Sequence, residues 1–227
     1  MAEQSDGPKR WIGRFLMETL PTIARSSVAF CHNSSCNEVD RSVWARVSQI
    51  PAKEFASYAT PRLLSGEELP HADFASGIML SYEKLFVPII RGGKTAPVGL
   101  ALDSVPILNA AAAEFFSENL SGQIQLISAR SETADSLWVC NILNMLDCID
   151  QDRTKAEYYP DNYPLVHLRG KIKTAFRINL LKDRVGLCPV FRLNLNPIPL
   201  VATKHFIHEL NRQHLFGLEP NPFPAYE

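Results

Sequence analysis

The sequence predicts an α+β fold, a mixed or antiparallel sheet with packed helices, and three observations carry that prediction. Strand-like alternation and helix-like spacing follow one another as strand-helix-strand units separated by apparent hairpins. One unit recurs: Ala112, Glu114, Phe115, Leu120 and Gly122 of a first copy correspond, at constant offset, to Ile207, Glu209, Leu210, Leu215 and Gly217 of a second. The composition, 46% apolar and 21% charged over 227 residues, is that of a globular chain, and a chain of this size buries about 70–75% of its unfolded surface.

Residues 1–9 are polar and offer nothing to bury. Trp11, Phe15 and Leu16 recur at helical spacing before Pro21, and Val43, Trp44, Val47 and Ile50 do so before Pro51, so two helices are expected. They make residues 1–60 a helical N-terminal region packed on a main α+β domain, residues 61–227. A loop-like stretch around Ser65-Gly66-Glu67-Glu68 follows. The apolar run 85–90, whose Pro88 suits an edge strand, is then expected to pair with residues 98–102 across Gly92-Gly93 as a hairpin.

The first copy of the repeated unit opens with Asp103 or Ser104 as a helix cap and Pro106 in the first turn. Leu108, Ala111, Ala112 and Phe115 share a helical face, Gly122 ends the segment, and Ile124 and Leu126 alternate with glutamines as a strand. Residues 138–149 are apolar except at Asn141, Asn144 and Asp147. This marks a central strand covered on both sides, although Ile142, Leu146 and Ile149 also satisfy a helix. Residues 176–181 and 190–195 read as two strands joined through Asp183-Arg184-Val185-Gly186. The second runs through a proline-marked turn into the second-copy helix, residues 203–214, and an extended tail.

Candidate chemistry is sparse. Cys31-His32 with Cys36 is half of a zinc site and lacks its second ligand pair. The five cysteines are scattered, which fits a reducing compartment rather than a disulfide framework. His205 and His208 stand at i, i+3 beside Glu209, but not in the His-Glu-x-x-His order of a zinc hydrolase. His214 is placed to cover the apolar face near the helix end. Asp147, Asp150 and Asp152 supply hard oxygen ligands without the glycine-centred turn of a calcium loop. No catalytic, cofactor-binding or metal-binding residue is assigned, and no cofactor is expected. A net charge of −1 argues against nucleic-acid binding. The absence of any apolar run of about 18 residues argues against membrane insertion, so a cytoplasmic location is expected.

Charge separates along the second half. Asp147, Asp150, Asp152, Glu157 and Asp161 face only Arg153 and Lys155 in their stretch, whereas residues 169–184 hold six cations against Asp183. The acidic stretch is either a solvated loop or a patch that docks a basic protein.

Ile107-Leu108, Gly122, Ile124-Gln125-Leu126-Ile127, Val139-Cys140-Asn141-Ile142-Leu143 and Leu146-Asp147-Cys148-Ile149-Asp150 form one set of motifs. Val190-Phe191-Arg192, Leu200-Val201-Ala202-Thr203 and Leu215-Phe216-Gly217-Leu218 continue it. Over residues 106–227 these resemble the immunity-protein family numbered eleven of bacterial polymorphic-toxin and type VI secretion systems. The serine that the family pattern carries before each helix is here Asn109 and Thr203. The resemblance implies a non-enzymatic protein that binds a cognate toxin effector in the producing cell and occludes its active or substrate-binding site. A toxin acting on nucleic acid would present a basic surface, and Asp147, Asp150, Asp152 and Glu157 are the candidates to meet it. The alternatives are a metal-dependent hydrolase using the aspartates with His205 and His208, and an adaptor or chaperone that loads an effector for secretion.

Overall fold

The computed structural model describes residues 44–50, 54–102, 104–134 and 136–221, all within one compact unit, residues 38–227. The chain enters through β1 (Trp44–Gln49), β2 (Ser57–Tyr58), β3 (Arg62–Leu63) and one helical turn, α1 (His71–Phe74). β4 (Lys84–Phe86), β5 (Ile89–Arg91), β6 (Val98–Ala101) and β7 (Val105–Leu108) lead into α2 (Ala110–Asn119). Then come β8 (Ile124–Arg130), β9 (Leu137–Ile142), β10 (Met145–Leu146), and β11 (Lys155–Tyr158) with β12 (Ile172–Arg177). α3 (Lys182–Val185), β13 (Val190–Leu193), β14 (Asn196–Thr203), α4 (Lys204–Arg212) and β15 (Leu218–Asn221) follow.

The fold is α+β, as expected. An eight-stranded sheet runs β3-β4-β8-β9-β7-β6-β2-β5, a five-stranded sheet runs β10-β13-β14-β1-β15, and β11 and β12 form a separate ribbon. Alternation along the strands sends side chains to two sides of each sheet. In β9, Cys140 and Ile142 join a central core with α2 and α4, while Leu137 and Val139 join an outer core with Phe74 and Leu85. In the five-stranded sheet, Val190, Leu200 and Ala202 enter the central core, and Phe191, Leu193 and Val201 enter a third core with Cys148 and Val185. Each fully buried Leu, Ile or Phe contributes about 1.5–3 kcal/mol, so both sheet faces stabilise the fold.

The recurring unit is real in space. β7-α2-β8 and β14-α4-β15 are its two copies, one per sheet. Asn109 caps α2 by accepting the Ala112 N–H at 2.9 Å, and Thr203 caps α4 by accepting the Phe206 N–H at 3.1 Å. α4 ends in a two-bond reversal: the Leu215 N–H reaches Leu210 O at 2.9 Å and the His214 N–H reaches Asn211 O at 3.0 Å. Between these bonds His214 adopts φ 59°. It is exposed, stopping the helix rather than covering its apolar face. Gly217 then approaches the other sheet so closely that an added Cβ would lie 1.8 Å from Val98 O.

Several expectations are corrected. Residues 44–49 form a strand, not a helix, because Val47 faces the central core and Trp44 the third core. The helix expected around Trp11 and the Cys31, His32 and Cys36 loop lie outside the described residues. Residues 85–90 and 98–102 do not pair. β2 lies between β5 and β6, and Gly93 admits the backbone of Glu54 to Ala56 instead of making a hairpin turn. The cap of α2 is Asn109, not Ser104, and Pro106 lies in β7, which shifts the buried helical face to Ala112, Ala113 and Phe116. β12 pairs with β11 rather than leading into β13, and residues 182–185 form a helical turn. The proline-marked segment is strand β14 itself. Pro197 and Pro199 lie beyond its pairing with β1 and beside a bulge opposite β13, where a missing N–H costs little.

Candidate functional site

The acidic stretch runs from the connection after β10 into β11, which holds Glu157, and the fold answers much of its charge. Asp147 is exposed and meets Arg184, Nη1 to Oδ2 at 3.3 Å. Asp150 serves its own turn: its Oδ1 accepts the Arg153 N–H at 3.2 Å, its carbonyl accepts the Thr154 N–H at 2.9 Å, and Arg153 Nε stands 3.7 Å from Oδ2. Exposed pairs of this kind contribute about 0–1 kcal/mol each, so their main effect is to cancel local field. Asp152 and Glu157 are exposed and have no ion-pair partner among the described residues. β12 runs antiparallel to β11, setting Lys155 opposite Arg177 and Glu157 opposite Thr174. The basic stretch that follows in sequence therefore folds back along the acidic one.

The histidines of α4 do not converge with the aspartates. His208 is exposed, His205 half-buried, and Glu209 is held by Arg212 through Nε at 2.9 Å and Nη2 at 2.6 Å. Among the described residues no three His, Cys, Asp or Glu side chains gather where a metal ion would be held.

A buried polar cluster joins the two sheets, and sequence reading did not single it out. Arg192 is fully buried, donating to Ser104 O at 2.8 Å and to Pro197 O and Ile198 O at 3.0 Å each. Its Nε has no hydrogen-bond partner, and burial lowers its pKa to about 10. Ser104 Oγ lies 2.6 Å from His71 Nε2, the spacing of a nucleophile and its base. Ser104 is however 0% exposed, so no substrate reaches it. Burial and then the Arg192 charge hold the His71 pKa below the ordinary imidazole value. Burial likewise keeps the Cys140 thiol protonated.

A cleft of about 440 Å³ opens between α2 and α4. Glu114, Phe115 and Glu118 line it from α2, Glu209 and Arg212 from α4, and Leu215 from beyond α4. Glu114 and Glu209 are the corresponding residues of the two unit copies. The helices are held together beneath the cleft by Phe206, whose ring lies 5.7 Å from Phe115 and 5.3 Å from Phe116.

Among the described residues no helix is long and apolar enough to cross a membrane. A family model described as "Immunity protein family (Imm11)" matches residues 108–224, more than half of the chain, and takes in α2, the acidic stretch and α4. No curated protein matches the chain.

Proposed function

We propose, from the premise that this chain belongs to the immunity protein family Imm11, that it binds a cognate toxin effector and neutralises it by covering the toxin's active or substrate-binding site. The family match over residues 108–224 carries this reading. In it the protein acts by contact and not by turnover, inside the producing cell of a polymorphic-toxin or type VI secretion system. Asp147, Asp150, Asp152 and Glu157 are the candidate contacts for a basic toxin surface. Asp152 and Glu157 lead, because Asp147 and Asp150 already have arginine partners. Charge complementarity of this kind raises the association rate and disfavours wrong partners.

Co-expression with the product of the adjacent gene tests the reading. Growth restored together with co-purification is the expected outcome. A toxic neighbour left unaffected, with no complex recovered, would exclude immunity against that neighbour.

A further inference from the structure

The cleft between α2 and α4 has the chemistry of a cation receptor. Its floor includes Phe115, a half-buried ring, and Leu215. Its walls carry three carboxylates, and only Glu209 has a cationic partner, Arg212. Glu114 and Glu118 are exposed, one helical turn apart on α2, with no ion-pair partner among the described residues. Like charges at i, i+4 destabilise a helix, and Glu118 also sits in the last turn of α2, where the helix dipole disfavours a negative charge. The helix thus carries two small costs that an arriving cation relieves. An aromatic face beside carboxylates suits arginine or lysine, whose apolar stem lies on the ring while the charged head meets the acids.

We infer that this cleft receives a basic segment of the protein's partner, with an arginine or lysine side chain laid over Phe115 and its cation between Glu114 and Glu118. The inference rests on the toxin-binding reading for the identity of the partner, and on the cleft alone for its chemistry. A second contact, on the two repeated helices, is thereby added to the candidate contacts after β10. The occupant is a protein segment, because the cleft is open and presents carboxylates from both α2 and α4 for a basic chain to meet.

Two measurements test it separately. The full-length chain is titrated with a fluorescent hexa-arginine peptide at low ionic strength, and binding is compared with E114Q/E118Q and with D152N/E157Q. Weakening of about tenfold in E114Q/E118Q, larger than that in D152N/E157Q, is expected. Equal binding by wild type and E114Q/E118Q overturns the proposal whether or not any toxin is found. The adjacent gene's product is then the second probe. Its affinity should fall about tenfold in E114Q/E118Q. Loss confined to D152N/E157Q overturns the cleft and keeps toxin binding. Peptide binding in the cleft without any binding of that product removes the neighbour as partner and leaves the cleft's chemistry supported. A wild-type dimer that E114Q/E118Q converts to monomer assigns the cleft to a second copy and overturns the proposal.

Discussion

Two acidic surfaces of this protein differ in what the fold sets beside them. From Asp147 to Glu157 acid follows acid in sequence, yet Arg184 and Arg153 reach two of the four carboxylates and basic β12 lies along β11. Between α2 and α4 the acids come from two separate helices, Glu114 and Glu118 from one and Glu209 from the other, and the fold gathers them in one cleft where Arg212 pairs with Glu209 alone. A dense run in sequence becomes a nearly balanced surface, and a sparse set becomes a concentrated one. The cause is connectivity. A strand that turns back antiparallel carries its downstream charges with it, whereas the cleft unites two copies of one unit that carry glutamate at one corresponding position, Glu114 and Glu209.

The largest expected effect comes from removing the support of the cleft. Gly217 holds φ 136° and brings the segment after α4 against Val98. Gly217→Ala should lower unfolding stability by about 3 kcal/mol in urea, through steric overlap and backbone strain together. A loss below about 1 kcal/mol would show that this approach does not set the position of α4.

A smaller effect separates buried from surface charge. His71 contacts Ser104 and lies near Arg192, and its pKa is depressed by burial and by that cation. A depressed pKa means the unfolded chain binds the proton first. The stabilising contribution is therefore complete above the ordinary value of 6.5 and is lost as pH falls through the folded value. His71→Asn should destabilise the protein at pH 7, and the gap from wild type should narrow as the solution is acidified. A constant gap across that range would mean that His71 is not held neutral.

The smallest effect compares the two acidic surfaces directly. Glu118→Lys should raise stability by about 0.5 kcal/mol, since it relieves both the Glu114 repulsion and the dipole at the end of α2. Asp147→Asn should lower it by about 0.5 kcal/mol through loss of the Arg184 pair. Chemical denaturation of both variants reads the signs, and the same sign in both would erase the contrast.

Much of this fold was legible in the sequence where a segment was long and periodic. The amphipathic pattern of α4 read through, with Phe206, Ile207 and Leu210 inward, and so did the doubly covered strand as far as Ile142; the strand expected on to residue 149 instead breaks there and passes into the other sheet as β10. The strand at β1 misled because its two faces enter different cores, so Trp44 and Val47 imitate helical spacing. Two-residue strands such as Ser57–Tyr58 and Met145–Leu146 have no period to detect. Arg192 looked like the polar face of an alternating strand, and only the second sheet beside it makes that position interior. Glu114 and Glu209 were visible as corresponding residues of a repeat. That they line one cleft depended on α2 and α4 packing together through Phe206, which no local pattern announces.

The most direct measurement of the central claim is the affinity of the purified chain for the adjacent gene's product at low and at high salt. A stoichiometric complex that inhibits the toxin and weakens steeply as salt rises is expected, because carboxylates meet a basic surface. A complex that forms without inhibition, or whose affinity is indifferent to salt, would contradict it.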